Sequence, residues 1–256
     1  MKQLGKIILL VGGSFIVLPF ALITFLSFSK NWNYPAFMPG SLSLHNWGDF
    51  FSGNNGTLNP FLISVTIALI TGFSATFIGF IISRFVAQHH LRNTLIFSCY
   101  FPFVISPVVY ALLLQYFFIR TGWSGTMGGV ILSHLIISLP FSIILFNGFW
   151  NTKAKGLEEI GTTLGSNTSQ IFIKILFPLA RPLLWICFFQ CFLISWFEYG
   201  LTSVIGAGRV HTLPVQVYQL IGEANTYQAS LSSLIIIIPP AILLWMNTKF
   251  VFTKLD

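Results

Sequence analysis

The stretch GLEEIGTTLGSNTSQIFIKILFPLARP, residues 156–182, stands apart from the chain around it. It holds two adjacent carboxylates, Glu158 and Glu159, seven Ser, Thr, Asn or Gln residues and two basic residues, between flanks made of Leu, Ile, Phe and Val. Within KAKGLEEIGTTLG (153–165), Leu157, Ile160 and Leu164 recur at i, i+3 and i+7, one stripe of a short helix. Gly165 is suited to end that helix, because glycine accepts the left-handed conformation without a Cβ penalty. Asn167 followed by Gln170 has the spacing of an N-cap pair and predicts a second helix running through IFIKILF to Pro178. The expected form is a short amphipathic helix, a sharp turn and a helix leading back into apolar sequence. Periodicity leaves two readings open: a rigid knob that transmits force from a soluble partner, or an amphipathic helix lying on a bilayer surface.

The rest of the chain defines the solvent. Of 256 residues, 55% are hydrophobic and 7% charged, whereas soluble domains carry roughly 25% charged residues. Such a surface is matched to lipid. Six apolar runs reach the length of about 20 residues that a bilayer-crossing helix needs: 7–29, 59–83, 94–119, 127–150, 182–204 and 230–248. The first follows Lys2 and Lys6 but is longer than the apolar part of a signal peptide and lacks a small-residue cleavage site, so it reads as a retained anchor. The fold class expected is therefore all-α integral membrane: one transmembrane domain over 1–256, six transmembrane helices, and a polar loop over 151–181 between helices four and five.

Charge placement gives the orientation. With both termini cytoplasmic, ten of the 13 basic residues fall inside: Lys2, Lys6, Arg84, Arg92, Lys153, Lys155, Lys174, Arg181, Lys249 and Lys254. Lys30, Arg120 and Arg209 fall outside. This is the asymmetry expected of a multi-pass protein. It accounts for the net charge of +7 with no nucleic-acid partner. Loops 30–58 and 205–229 are expected to face outward, the first marked by Pro, Gly, Asn and Trp. Cys99, Cys187 and Cys191 lie inside apolar runs and read as small buried hydrophobes.

Few polar side chains interrupt the spans. Glu198 is the acid placed within one, where a charge is costly and by default functional; it either attracts a cationic solute or satisfies a helix end. Tyr110, Gln115, Gln190 and Tyr199 are polar handles that either line a pathway or pack. His134 is read as a satisfied core histidine. Pro102, Pro107, Pro140, Pro239 and Pro240 are expected to kink helices. No G-x-x-x-x-G-K-[ST] and no H-E-x-x-H occurs in the sequence. Secondary transporters carry internal repeats and more intramembrane charge, and neither is evident.

The polar loop resembles the signature of binding-protein-dependent ABC importer permeases, which runs Glu-Ala-Ala, three residues, Gly, nine residues, Ile, one residue, Leu-Pro. The matching positions are Glu159, Ile160 and Gly161, then Gly165, Ile175 and Phe177-Pro178, with Leu164 before the glycine as in the family. Ile160 and Gly161 replace the two alanines, and Phe177 replaces the leucine. FPFVISPVVYALLL (101–114), ILSHLIISLPF (131–141, with His134 and Pro140) and SWFEYG (195–200, with Glu198) resemble segments of the same family. HTLPVQVYQLI (211–221) is similar to the short spermidine/putrescine-type permeases.

The resemblance implies a coupling helix in which Leu157, Glu158, Glu159, Ile160, Gly161, Leu164, Gly165, Ile175 and Pro178 serve contact with a separate ATP-hydrolysing subunit. ATP and Mg would sit on that partner, with no cofactor in this chain. It further implies a second permease subunit, identical or homologous, a periplasmic or lipid-anchored substrate-binding protein, and residence in a bacterial inner membrane. The solute implied is small and polar or cationic, such as a polyamine, with an aminophosphonate, thiamine or an inorganic ion as alternatives.

Overall fold

In hydrocarbon each backbone polar group must be satisfied within its own segment, so the apolar runs fold as helices. The computed structural model describes residues 2–30, 41–53, 56–150 and 152–250. Positions 31–40 and 54–55 of the expected outward loop, and Lys254 of the basic set, lie outside the described residues. The helices are α1 (Lys2–Ser27), α2 (His45–Ser52), α3 (Leu58–Gln88), α4 (Arg92–Cys99), α5 (Phe101–Val104), α6 (Pro107–Arg120) and α7 (Met127–Asn147). They continue with α8 (Thr152–Thr163), α9 (Thr168–Ile171), α10 (Phe177–Trp196), α11 (Gly200–Ile205), α12 (Leu213–Gly222) and α13 (Thr226–Phe250). A π-helical turn, Phe172–Leu176, joins α9 to α10.

Among the described residues, four helical segments are long and apolar enough to cross a bilayer: Leu58–Gln88, Met127–Asn147, Thr168–Trp196 and Thr226–Trp245. A fifth is broken. Arg92–Val104 and Pro107–Arg120 pass that test together but meet at 101°. The break falls where the sequence demands it: Ser106 is extended (ψ 135°) before Pro107, whose ring excludes the helical conformation from the preceding residue. In α1 the apolar helix Gly12–Ser27 is shorter. Pro140 lies inside α7, and Pro239 and Pro240 inside α13, without ending them. The expected span 182–204 meets a helix that begins earlier and stops at Trp196, so SWFEYG is a helix break and not the middle of a span.

Contacts divide the chain into two units. The first comprises residues 1–62 and 212–242. Its short antiparallel pair, Ser29–Lys30 with Ser41–Leu42, is buttressed by Asn46, whose amide donates to Ser29 O (2.9 Å). Phe28 stacks on Trp47, and Phe50 is buried against Phe51 and Phe61. Gln216 Nε2 donates to Thr57 Oγ1 (3.3 Å).

The second unit comprises residues 63–211 and 243–256. In lipid the hydrophobic effect does not drive helices together, so close approach through small residues does. α3 presents Ala68, Gly72, Ala75 and Gly79 on one face. A Cβ on Gly72 would sit 3.1 Å from the Phe188 ring, and one on Gly79 would overlap Ser142 Oγ. Ser142 Oγ also donates to Ala75 O (2.8 Å), across to α3. Around this seam Phe80, Phe146, Ala180, Leu184, Cys187 and Cys191 form the core. Phe80 is ringed by Phe146, Phe149, Trp150 and Phe172 at centroid distances of 5.1–5.9 Å. Cys99 is only half-buried, unlike the other two cysteines.

Candidate functional site

The polar stretch folds as its spacing predicts. α8 ends in two nested bonds: Ser166 N–H donates to Gly161 O and Gly165 N–H to Thr162 O, both at 3.0 Å. Gly165 has φ +80°, the left-handed closing residue of a Schellman motif. Asn167 and Gln170 then form a reciprocal capping box. Asn167 Oδ1 accepts from Gln170 N (2.8 Å), and Gln170 Oε1 accepts from Asn167 N (3.2 Å). Pro178 follows the π-helical turn, in the first turn of α10, where a proline is tolerated.

The faces of α8 divide in a way periodicity alone does not give. Ala154 and Gly161 are buried, and Ala154 packs with Ile171 and Leu176 beside Phe149, Trp150 and Phe172. A Cβ on Gly161 would lie 2.9 Å from Ile171 Cγ1. Small residues thus seat the helix. The apolar stripe turns outward: Ile160 is 59% and Leu164 79% exposed, while Leu157 and Glu158 are half-buried and Glu159 is exposed. Ile175 is half-buried at the Gly161 seat.

The pathway candidates fall into two groups. Glu198 and Tyr199 form the break after α10, beside the first turn of α6 that carries Tyr110. Gly200 is wedged there, its would-be Cβ 2.8 Å from Val108 Cγ2 and 3.3 Å from Glu198 Oε1. Tyr110 packs on the cluster of Ala111, Ile137 and Leu201. Gln115, half-buried farther along α6, and Gln190, on the exposed face of α10, stand apart from that junction. The Glu198 carboxylate accepts the Leu201 N–H (2.9 Å) and so anchors the start of α11.

His134 is fully enclosed and bridges three helices. Its Nδ1 lies 2.7 Å from Ser195 Oγ on α10 and its Nε2 2.9 Å from Thr202 Oγ1 on α11. A buried polar network satisfied at both ring nitrogens fixes the break between α10 and α11. His134→Leu removes the ring partner of Ser195 Oγ and leaves Thr202 Oγ1 its longer bond to Glu198 O (3.4 Å), and is expected to cost about 2 kcal/mol. In detergent this reads as a fall in unfolding temperature of roughly 4–8 °C, measured on the purified subunit.

Sequence reasoning missed the residues that hold α8 in place. Arg84, counted there only as a topology charge, ion-pairs with Glu158 at 3.0 Å. Trp150 Nε1 donates to Ser83 Oγ (2.7 Å). The signal available was a basic residue at the end of an otherwise apolar helix, but its partner is remote in sequence.

The family described as binding-protein-dependent transport system inner membrane component matches residues 64–249. Among similar proteins is the inner membrane ABC transporter permease protein YcjP of Escherichia coli (strain K12), 22% identical over 227 residues, covering 85% of this chain and 80% of that protein. The melibiose/raffinose/stachyose import permease protein MelC of Bacillus subtilis (strain 168) is 25% identical over 239 residues, covering 90% and 83%. The spermidine/putrescine transport system permease protein PotC of Haemophilus influenzae is 24% identical over 195 residues, covering 75% and 76%. The match runs from within α3 to the end of α13 and takes in the α8 turn, and the chain therefore belongs to the inner membrane components of binding-protein-dependent transport systems, as an ABC importer permease.

Proposed function

We propose that this permease crosses the bacterial cytoplasmic membrane six times with both termini inside, and that it forms half of a solute pathway whose other half is a second permease subunit, identical or homologous. α8 is the coupling helix and docks in a groove of a separate ATP-binding subunit. ATP and Mg belong to that subunit. A substrate-binding protein, periplasmic or lipid-anchored, delivers solute to the outer side. When ATP draws its subunits together, α8 moves and the two permeases exchange inward-open for outward-open forms, a shift between two packings of the same helices.

The observation that carries this reading is the exposure of Ile160 and Leu164 on a helix whose other face is seated through Gly161. Large apolar side chains turned outward on a polar turn mark a contact surface. Leu164→Cys tests it. In membranes holding the whole transporter, a thiol cross-linker is expected to join position 164 to the ATP-binding subunit. Modification by a lipid-soluble reagent alone, with no such product, would show the helix lying on the bilayer instead.

The solute is small and polar. A cation such as a polyamine is the first to try, supported by the likeness to the spermidine/putrescine permease and by Glu198 at the α10–α11 break. Relatives of similar identity are named for melibiose, raffinose and stachyose, sulfate and molybdenum. Competition of radiolabelled spermidine uptake by these solutes in proteoliposomes distinguishes them.

A further inference from the structure

α8 is fastened to its unit through Ala154, packed with Ile171 and Leu176, and at two further places. One is the seat of Gly161 on Ile171 and Ile175. The other is a link to α3 that no backbone connection supplies. Arg84 Nη2 lies 3.0 Å from Glu158 Oε1, with the two side chains only 21% and 17% exposed. The guanidinium also lies over the Phe172 ring, 5.6 Å from its centroid, and Phe172 packs on Phe80 of α3. One residue earlier, Ser83 takes the Trp150 indole N–H at 2.7 Å. Beside the pair opens a cavity of about 930 Å³, whose other charged lining residues are Arg92, Lys155 and Glu159. Arg92 is held by its own bond from Nε to Asn147 Oδ1 (3.0 Å).

Ion pairs sheltered from water attract more strongly than exposed ones, and removing one partner leaves the other charge uncompensated. Arginine suits the role because one planar group serves a carboxylate and an aromatic face together. The pair bridges α8 and the end of α3 at the wall of this cavity. α3 in turn carries the small-residue face, Gly72 to Gly79, that packs on α7 and α10. We propose that Arg84 and Glu158 form a latch that hands displacement of α8 directly to α3, which makes Arg84 a positioning residue for ATP-driven import. This rests on the reading of α8 as the coupling helix.

The test follows the end of α3 and needs no knowledge of the solute. Gln88→Cys is placed in the assembled transporter, with Cys99, Cys187 and Cys191 replaced by alanine. Its rate of modification by a water-soluble maleimide is measured with and without Mg-ATP and vanadate. With the latch intact the rate is expected to change at least fivefold. Arg84→Glu or Glu158→Arg alone should reduce that change below twofold, and the double exchange should restore at least a threefold change. Arg84→Gln, which keeps the stem over Phe172, is read in the same way should a charge reversal not assemble, and is also expected below twofold. No change in the parent, single variants that match the parent, or a double exchange no better than the singles would overturn the latch. Failure of the coupling-helix reading is separate: it removes the cross-link from position 164 in the transporter with Arg84 intact, whereas failure of the latch alone leaves that cross-link in place.

Discussion

Replacing Ile160 and Leu164 together by glutamate is expected to release the permease from its ATP-binding subunit while leaving the permease itself folded. Both side chains are more than half exposed, so the chain loses little internal packing when they change. In the docked complex each would bury apolar surface worth about 1.5–3 kcal/mol. A carboxylate at the same place must be desolvated or must open the contact. Losing both anchors is roughly 3–6 kcal/mol, hence about two to four orders of magnitude in affinity. Co-purification of the ATP-binding subunit with tagged permease measures this directly, and thermal unfolding of the permease alone serves as the control. A variant that still retains its ATP-binding subunit at wild-type stoichiometry would refute docking through this stripe.

The second large effect is expected inside the helical bundle. Gly79→Leu places a side chain where Ser142 already sits: a Cβ there would overlap Ser142 Oγ and lie 2.7 Å from Ser142 Cβ. α3 can accommodate it only by leaving α7, which breaks the bond from Ser142 Oγ to Ala75 O and opens the Phe80 cluster beside it. Overpacking of this kind costs about 1–3 kcal/mol, and the lost close approach adds to it in a membrane, where close packing drives association. Three kcal/mol corresponds to roughly 6–12 °C in a chain of this size, read by fluorescence-detected size exclusion after heating. Ser142→Gly placed in the same chain is expected to recover part of the loss, because it returns the missing volume. A Gly79→Leu permease as heat-stable as the parent would mean that the two helices do not meet there.

The sequence made the α8 turn legible because its information is local. A left-handed glycine at 165 and a capping pair at 167 and 170 are both decided within a few residues, and both are present. The apolar runs likewise announced helices, and Pro107 announced a break. What could not be read is which face of α8 is covered. Periodicity groups Leu157, Ile160 and Leu164, but whether that stripe or the small residues Ala154 and Gly161 meet the protein depends on Ile171 and Ile175, which follow the turn. The Arg84–Glu158 pair joins two elements with α4 to α7 between them, and nothing local couples those residues. The end of α10 at Trp196 was hidden for a different reason. SWFEYG continues an apolar run, and the break is held by the Glu198 carboxylate on Leu201 N–H and by His134 from another helix.

The π-helical turn at Phe172–Leu176 sets the gearing between α9 and α10. Such a turn takes in one residue more than the α-helical path, and one residue corresponds to roughly 100° about the axis. Ile171 and everything before it are thereby rotated against α10 compared with an uninterrupted helix. The aim of α8, and with it the direction in which Ile160 and Leu164 point, is set by a single surplus residue. Insertion or deletion at this one spot would swing the Ile160–Leu164 stripe around the bundle without altering a side chain of α8 or α10.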